Sequence, residues 1–142
     1  MLSLQERDLT ESLMKANRTS QHFGLTLTAQ EAELILRERK KVLQEQRRVE
    51  FGESILPRLI YEFCDSAYIE QENYADTLVC LQELFYRYKN ETQDRLSDEE
   101  LLELMKELFE TVCAGDMEYL DMKLAGMAGK IRAAGWQCPG GR

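Results

Sequence analysis

The stretch Ser97-Asp98-Glu99-Glu100-Leu101-Leu102-Glu103-Leu104-Met105-Lys106-Glu107-Leu108-Phe109-Glu110 decides the fold class. At about 100° per residue, Leu101, Leu104, Met105, Leu108, Phe109 and Val112 fall on one broad face, with Glu99, Glu103, Lys106, Glu107 and Glu110 opposite. Ser97 and Glu100 have the spacing of a capping box: the hydroxyl accepts from the third helical amide and the carboxylate reaches back to the cap amide. Leu96 and Leu101 add a hydrophobic staple across that cap. An amphipathic helix of this kind buries its apolar face against other helices.

The same signals recur along the chain. Ser3 with Glu6 and Thr28 with Glu31 are two further capping boxes. The pattern predicts six helices, over residues 4–17, 29–48, 54–65, 70–90, 98–113 and 116–134. Pro57 sits in the first turn of the third, where a missing amide is tolerated. Gly135 is a natural stop for the sixth, while Gly126 and Gly129 weaken that helix or let a neighbour approach. Leu25-Thr26-Leu27-Thr28 alternates but is too short for a strand and ends in a cap. The expectation is an all-α protein, a compact bundle of about six helices. It comprises a single helical domain over residues 1–137 and a flexible tail over 138–142.

Composition bounds the function classes. Of 142 residues, 44% are hydrophobic and 31% charged, which is globular and not disordered. The formal net charge of −8 argues against nucleic acid or an anionic membrane as partner, since both require local positive charge. Cys64, Cys80, Cys113 and Cys138 are widely spaced with no C-x-x-C pair, as in reduced cytosolic proteins. Charged residues Glu6, Arg7 and Asp8 stand where a signal peptide needs an apolar run, and no segment has the length of a membrane span. A cytoplasmic location is expected.

Chemistry-bearing motifs fare poorly. A single histidine, His22, rules out a two-histidine zinc site within one chain and would have to serve any Cys–His or Ser–His pair. Glu103, Glu107 and Glu110 share a face, but di-iron bundles pair Glu with a His three residues on, and here the acids oppose the apolar side. Residues 90–101 resemble a calcium loop faintly. Arg95 stands where the turn needs glycine, and Leu101 where a bidentate Glu is needed. No glycine-rich phosphate loop is present. The six basic residues Arg37, Arg39, Lys40, Lys41, Arg47 and Arg48 are partly offset by Glu31, Glu33, Glu38 and Glu45 on the same helix, which reads as a solvated helix. No cofactor and no metal are expected, and no catalytic residue is assigned.

Two features stand out. Arg39 falls on an apolar arc among Ala32, Ile35, Leu36, Val42 and Leu43, so its guanidinium must snorkel, pair with an acid or receive an anionic ligand. The fourth helix carries a main apolar arc of Tyr74, Leu78, Leu81, Leu84, Phe85 and Tyr88 and a second stripe of Ala75, Val79 and Tyr86. Either another helix covers the stripe, or it faces outward as a partner surface with Tyr86 as anchor.

Val49-Glu50-Phe51-Gly52, then Cys64-Asp65-Ser66-Ala67-Tyr68-Ile69-Glu70-Gln71-Glu72-Asn73-Tyr74-Ala75-Asp76-Thr77-Leu78, then Phe85-Tyr86-Arg87-Tyr88-Lys89-Asn90-Glu91-Thr92 resemble an uncharacterised family of small helical proteins, a domain of unknown function, from Gram-positive anaerobic bacteria. The resemblance runs from about residue 25 onward. It implies a compact, bacterial, cytoplasmic protein and carries no assigned activity, cofactor or site. The first functional reading is a non-enzymatic cytoplasmic module that pairs with itself or with another protein. The alternative is a small-ligand-binding protein or an enzyme with an unfamiliar site near Arg39 and the helix-four tyrosines.

Overall fold

The computed structural model describes residues 4–50 and 54–134. Six α-helices follow in order: α1 (Leu4–Ser20), α2 (Ala29–Gln46), α3 (Ile55–Phe63), α4 (Tyr74–Glu91), α5 (Asp98–Glu110) and α6 (Met117–Ala134), with short 3-10 turns at Gln21–Phe23 and Gln71–Asn73. No strand occurs among the described residues, and the protein is all-α. The chain groups into two compact units, Met1–Glu83 and Leu84–Arg142, with the division inside α4. Ser3 of the first capping box, Gly135 and the 138–142 tail lie outside the described residues.

In the first unit α1 packs against α2 and α3. The Thr28 hydroxyl accepts from the Glu31 amide and the Glu31 carboxylate accepts from the Thr28 amide, so the capping box that starts α2 is complete. α3 is the most apolar helix, burying Ile55, Leu56, Leu59, Ile60 and Phe63 within nine residues. Its N-terminus carries Ser54 as cap, whose hydroxyl accepts from the Leu56 amide at 3.2 Å. α1 runs to Ser20, three residues beyond the sequence expectation of 17, and the chain then turns at Gly24, where φ is +79°.

The segment Leu25–Leu27 belongs to neither a helix nor a sheet. Its backbone groups are paired from two sides by amide side chains. Asn17 accepts from the Leu27 amide and donates to its carbonyl, both at 2.9 Å. Gln71 accepts from the Thr26 amide at 2.8 Å and donates to its carbonyl at 2.9 Å. Leu25 and Leu27 are thereby buried without a partner strand.

In the second unit α5 packs on α6. The Ser97–Glu100 capping box forms as the spacing predicts. Leu101, Leu102, Leu104, Met105 and Phe109 are buried. α5 ends at Glu110 and not at 113. The Thr111 hydroxyl bonds back to the Glu107 carbonyl, Ala114 and Gly115 have φ of +47° and +82°, and the Gly115 amide closes on the Phe109 carbonyl. Val112, placed by the sequence on the apolar face of α5, is therefore past its end and exposed. In the connection before α5, Gln93 and Asp94 both have positive φ. Lys89, 7% exposed, spans that connection, its ammonium donating to the Leu96 carbonyl at 2.8 Å and meeting Asp98 at 2.9 Å.

Candidate functional site

Arg39 is held within the first unit. Its Nε and Nη2 donate to Glu50 Oε1 at 2.9 and 2.6 Å, and both side chains are largely buried, at 13% and 14% exposure. The other oxygen of Glu50 accepts from the Ile55 amide at 3.1 Å, at the start of α3. One carboxylate thus ties the guanidinium of α2 to the positive end of α3. The arrangement uses Arg39 structurally.

In the fourth-helix stripe, Ala75 and Tyr86 are buried and only Val79 is half-buried. Tyr86 is 2% exposed and packs edge-to-face on Phe85, with ring centroids 5.5 Å apart. It offers no outward anchor. Tyr74 and Tyr88 are buried as well, so the helix-four tyrosines do not line an open site.

The Tyr88 hydroxyl donates to the Asp121 carboxylate of α6, which also accepts from Arg87 at 3.1 Å. Burial, then the Asp121 bond and charge, push the Tyr88 phenol up to about 12, against the opposing effect of Arg87. Burial pushes Tyr74 up to about 12 too. Burial, with Glu83 and Asp76 nearby, raises the Cys80 thiol, and burial raises Cys113 although Lys123 opposes it. Thiols shifted this way carry little thiolate and are poor nucleophiles. His22 is exposed on the 3-10 turn after α1. Among the described residues, no group of three or more His, Cys, Asp or Glu side chains is arranged to hold a metal ion.

Among the described residues, a groove in the first unit and a depression in the second also open to the surface. In the first unit, Glu38, Lys41, Val42 and Glu45 of α2 face Val79, Gln82 and Glu83 of α4 across a groove of about 160 Å³. Gln82 is 1% exposed. Its amide nitrogen donates to the Ile35 carbonyl at 3.3 Å, and its buried Oε1 has no partner among the described residues. In the second unit, Tyr119, Met122, Lys123, Gly126, Met127 and Lys130 line a shallow depression of about 350 Å³ along α6. Met122 is 69% exposed and Tyr119 36%, and the Lys123 ammonium lies 5.5 Å from the Tyr119 ring centre. Apart from its own helix backbone and chain neighbours, no heavy atom of the described residues lies within 4 Å of where a Gly126 Cβ would stand, and the Arg132 side chain approaches Gly129 at 3.7 Å. Among the described residues, no other segment fills the room beside Gly126.

Helices, capped ends and apolar surfaces define an all-α protein whose described residues hold no metal cluster. The chain belongs to a family of unknown function, DUF6323, whose model matches residues 12–137. No curated protein and no solved structure matches it. Among the described residues, no helix is long and apolar enough to cross a membrane.

Proposed function

We propose that the protein is a non-enzymatic, cytoplasmic interaction module that pairs with a second copy of itself through the outer face of α6. The observation that carries this reading is the exposure of Met122, at 69%, on the same face as Tyr119 and the open Gly126. A glycine inside a helix costs about 1 kcal/mol relative to alanine. Among the described residues Gly126 gains no contact for that cost, whereas it lets another backbone come close.

Charge complementarity favours a second copy as the occupant. Lys123 and Lys130 flank the apolar floor in a chain whose net charge is −8. Glu103 and Glu107 of α5, in the same unit, are exposed and carry the opposite charge. Cys64, Cys80 and Cys113 as thiols, not disulfides, suit a reducing compartment.

The test is a charge swap read by light scattering after size exclusion. The wild type is expected to dimerise, and Lys123→Glu/Lys130→Glu and Glu103→Lys/Glu107→Lys are each expected to be monomeric. Mixing the two variants restores opposite charges across the contact and is expected to restore the dimer. A wild type that stays monomeric up to high micromolar concentration overturns the reading. So does a dimer indifferent to both double substitutions.

A further inference from the structure

We infer that Met122 is an oxidation site, and that its conversion to the sulfoxide by a hydroperoxide switches off the α6 contact. The inference rests on the reading of that face as a self-pairing surface and supplies its regulation. Met122 is 69% exposed, against 37% for Met14 and 0% for Met105, while Met117 and Met127 are half-buried. It is therefore the most accessible methionine among the described residues. Side chains on a helix lean towards its N-terminus, so a larger residue at 126 would lie over Met122. Gly126 has no side chain to do so, and outside its own helix backbone and chain neighbours no heavy atom of the described residues stands within 4 Å of where its Cβ would be. The thioether is left open to a small oxidant. The thiols compete poorly for it. Cys64 and Cys113 are buried, and partial burial, with Glu83 and Asp76 nearby, holds Cys80 towards its protonated form.

The step balances with the peroxide alone. The sulfur lone pair attacks one peroxide oxygen, an S–O bond forms as the O–O bond breaks, and the transferred oxygen passes its proton to the leaving hydroxide. Sulfur is oxidised by two electrons, the peroxide is reduced to water, and a flexible apolar side chain becomes a polar acceptor. On the separate chain the new oxygen is open to water, and the same depression supplies donors in the Lys123 ammonium and the Tyr119 hydroxyl. In the paired state it would be buried against an apolar floor, which is costly for an acceptor without a partner. Pairing and oxidation thus oppose each other: the paired chain shields the sulfur, and the sulfoxide disfavours pairing.

Hydrogen peroxide added to the wild type, Met122→Leu and Met127→Leu over a protein concentration series tests the inference, with sulfoxide at each methionine read by mass spectrometry and association read by light scattering. At low concentration Met122 is expected to oxidise ahead of Met14, Met105, Met117 and Met127. Its rate is expected to fall as concentration rises through the dimer range, while that of Met14 stays constant. Dimer affinity is expected to drop at least about tenfold in step with Met122 sulfoxide, to drop likewise in Met127→Leu, to hold in Met122→Leu, and to return on treatment with methionine sulfoxide reductase and a thiol reductant. Three outcomes overturn the inference: Met14, Met117 or Met127 oxidised before Met122 at low concentration, a dimer that persists with Met122 fully oxidised, or an equal loss of dimer in Met122→Leu. A wild type that dimerises and gives any of these loses the switch but keeps the α6 reading. A wild type that is monomeric before peroxide loses both.

Discussion

Replacing Glu50 with alanine removes both the carboxylate that pairs with Arg39 and the acceptor of the Ile55 amide, whereas replacing Arg39 with methionine leaves the bond from Ile55 to Glu50 in place. In Glu50→Ala the guanidinium of Arg39 loses the carboxylate that accepts from both its Nε and Nη2, while keeping only 13% exposure. Hydrogen bonds to charged groups contribute about 1.5–3 kcal/mol. The Ile55 amide at the start of α3 also loses its acceptor, and loss of a helix cap costs about 1 kcal/mol. The sum is about 2.5–4 kcal/mol. In Arg39→Met the carboxylate keeps Ile55, and an unbranched apolar side chain replaces the buried stem, so the cost should stay at about 1 kcal/mol or less. With an m-value of about 2 kcal/mol per molar urea, Glu50→Ala should lower the denaturation midpoint by about 1–2 M and Arg39→Met by about 0.5 M or less. The double variant should cost less than the two single costs added, because the pair is then removed from both sides. Equal costs for the two single variants, or a larger cost for Arg39→Met, would refute the two-sided role given to Glu50.

Further outcomes are expected. Gly24→Ala, at φ +79° with nothing within 4 Å of the new Cβ, should destabilise through backbone strain alone, by about 1 kcal/mol, and leave the circular dichroism spectrum unchanged. The Tyr88 phenol, at about 12 in the folded chain and about 10 when unfolded, binds its proton more tightly when folded. Its contribution is therefore complete below about pH 10 and lost as pH rises towards about 12. Urea titrations at neutral and alkaline pH should show a shallower alkaline loss for Tyr88→Phe than for the wild type, with Tyr74 still contributing its share. Lys89→Met should cost about 1–2 kcal/mol and speed amide exchange in the connection before α5, because the Leu96 carbonyl and Asp98 lose their donor.

Local rules carried the fold where the chain obeys them. The boxes at Thr28 and Ser97 placed the starts of α2 and α5, because a cap is written in two side chains three residues apart. The helix ends were harder to read. α5 stops at Glu110 because Thr111 leaves the helical region, with φ −111° and ψ −94°, and α2 stops at Gln46, capped by Arg47 at a positive φ. Neither residue type signals it. The Asn17 and Gln71 amides that hold Leu25–Leu27 act from 10 and 45 residues away, beyond any local window. Wheel position flagged Arg39, but its partner Glu50 sits past the helix end, outside the periodic pattern. The stripe of Ala75, Val79 and Tyr86 was legible as apolar, yet whether such a stripe is covered depends on tertiary packing. The α6 face escaped notice because Tyr119, Met122 and Gly126 interrupt the polar side that an ordinary surface helix would have.

Sedimentation equilibrium of the wild type and of Met122→Asp, over a concentration series at low and high salt, tests the central claim most directly. Full burial of a methionine side chain is worth about 1.5–3 kcal/mol, so a charge there should weaken dimerisation at least tenfold while the helical spectrum is retained. The account predicts a concentration-dependent dimer for the wild type, weakened by salt, and a monomer for Met122→Asp. A wild type that is monomeric throughout, or a Met122→Asp variant that dimerises as tightly as its parent, would contradict it.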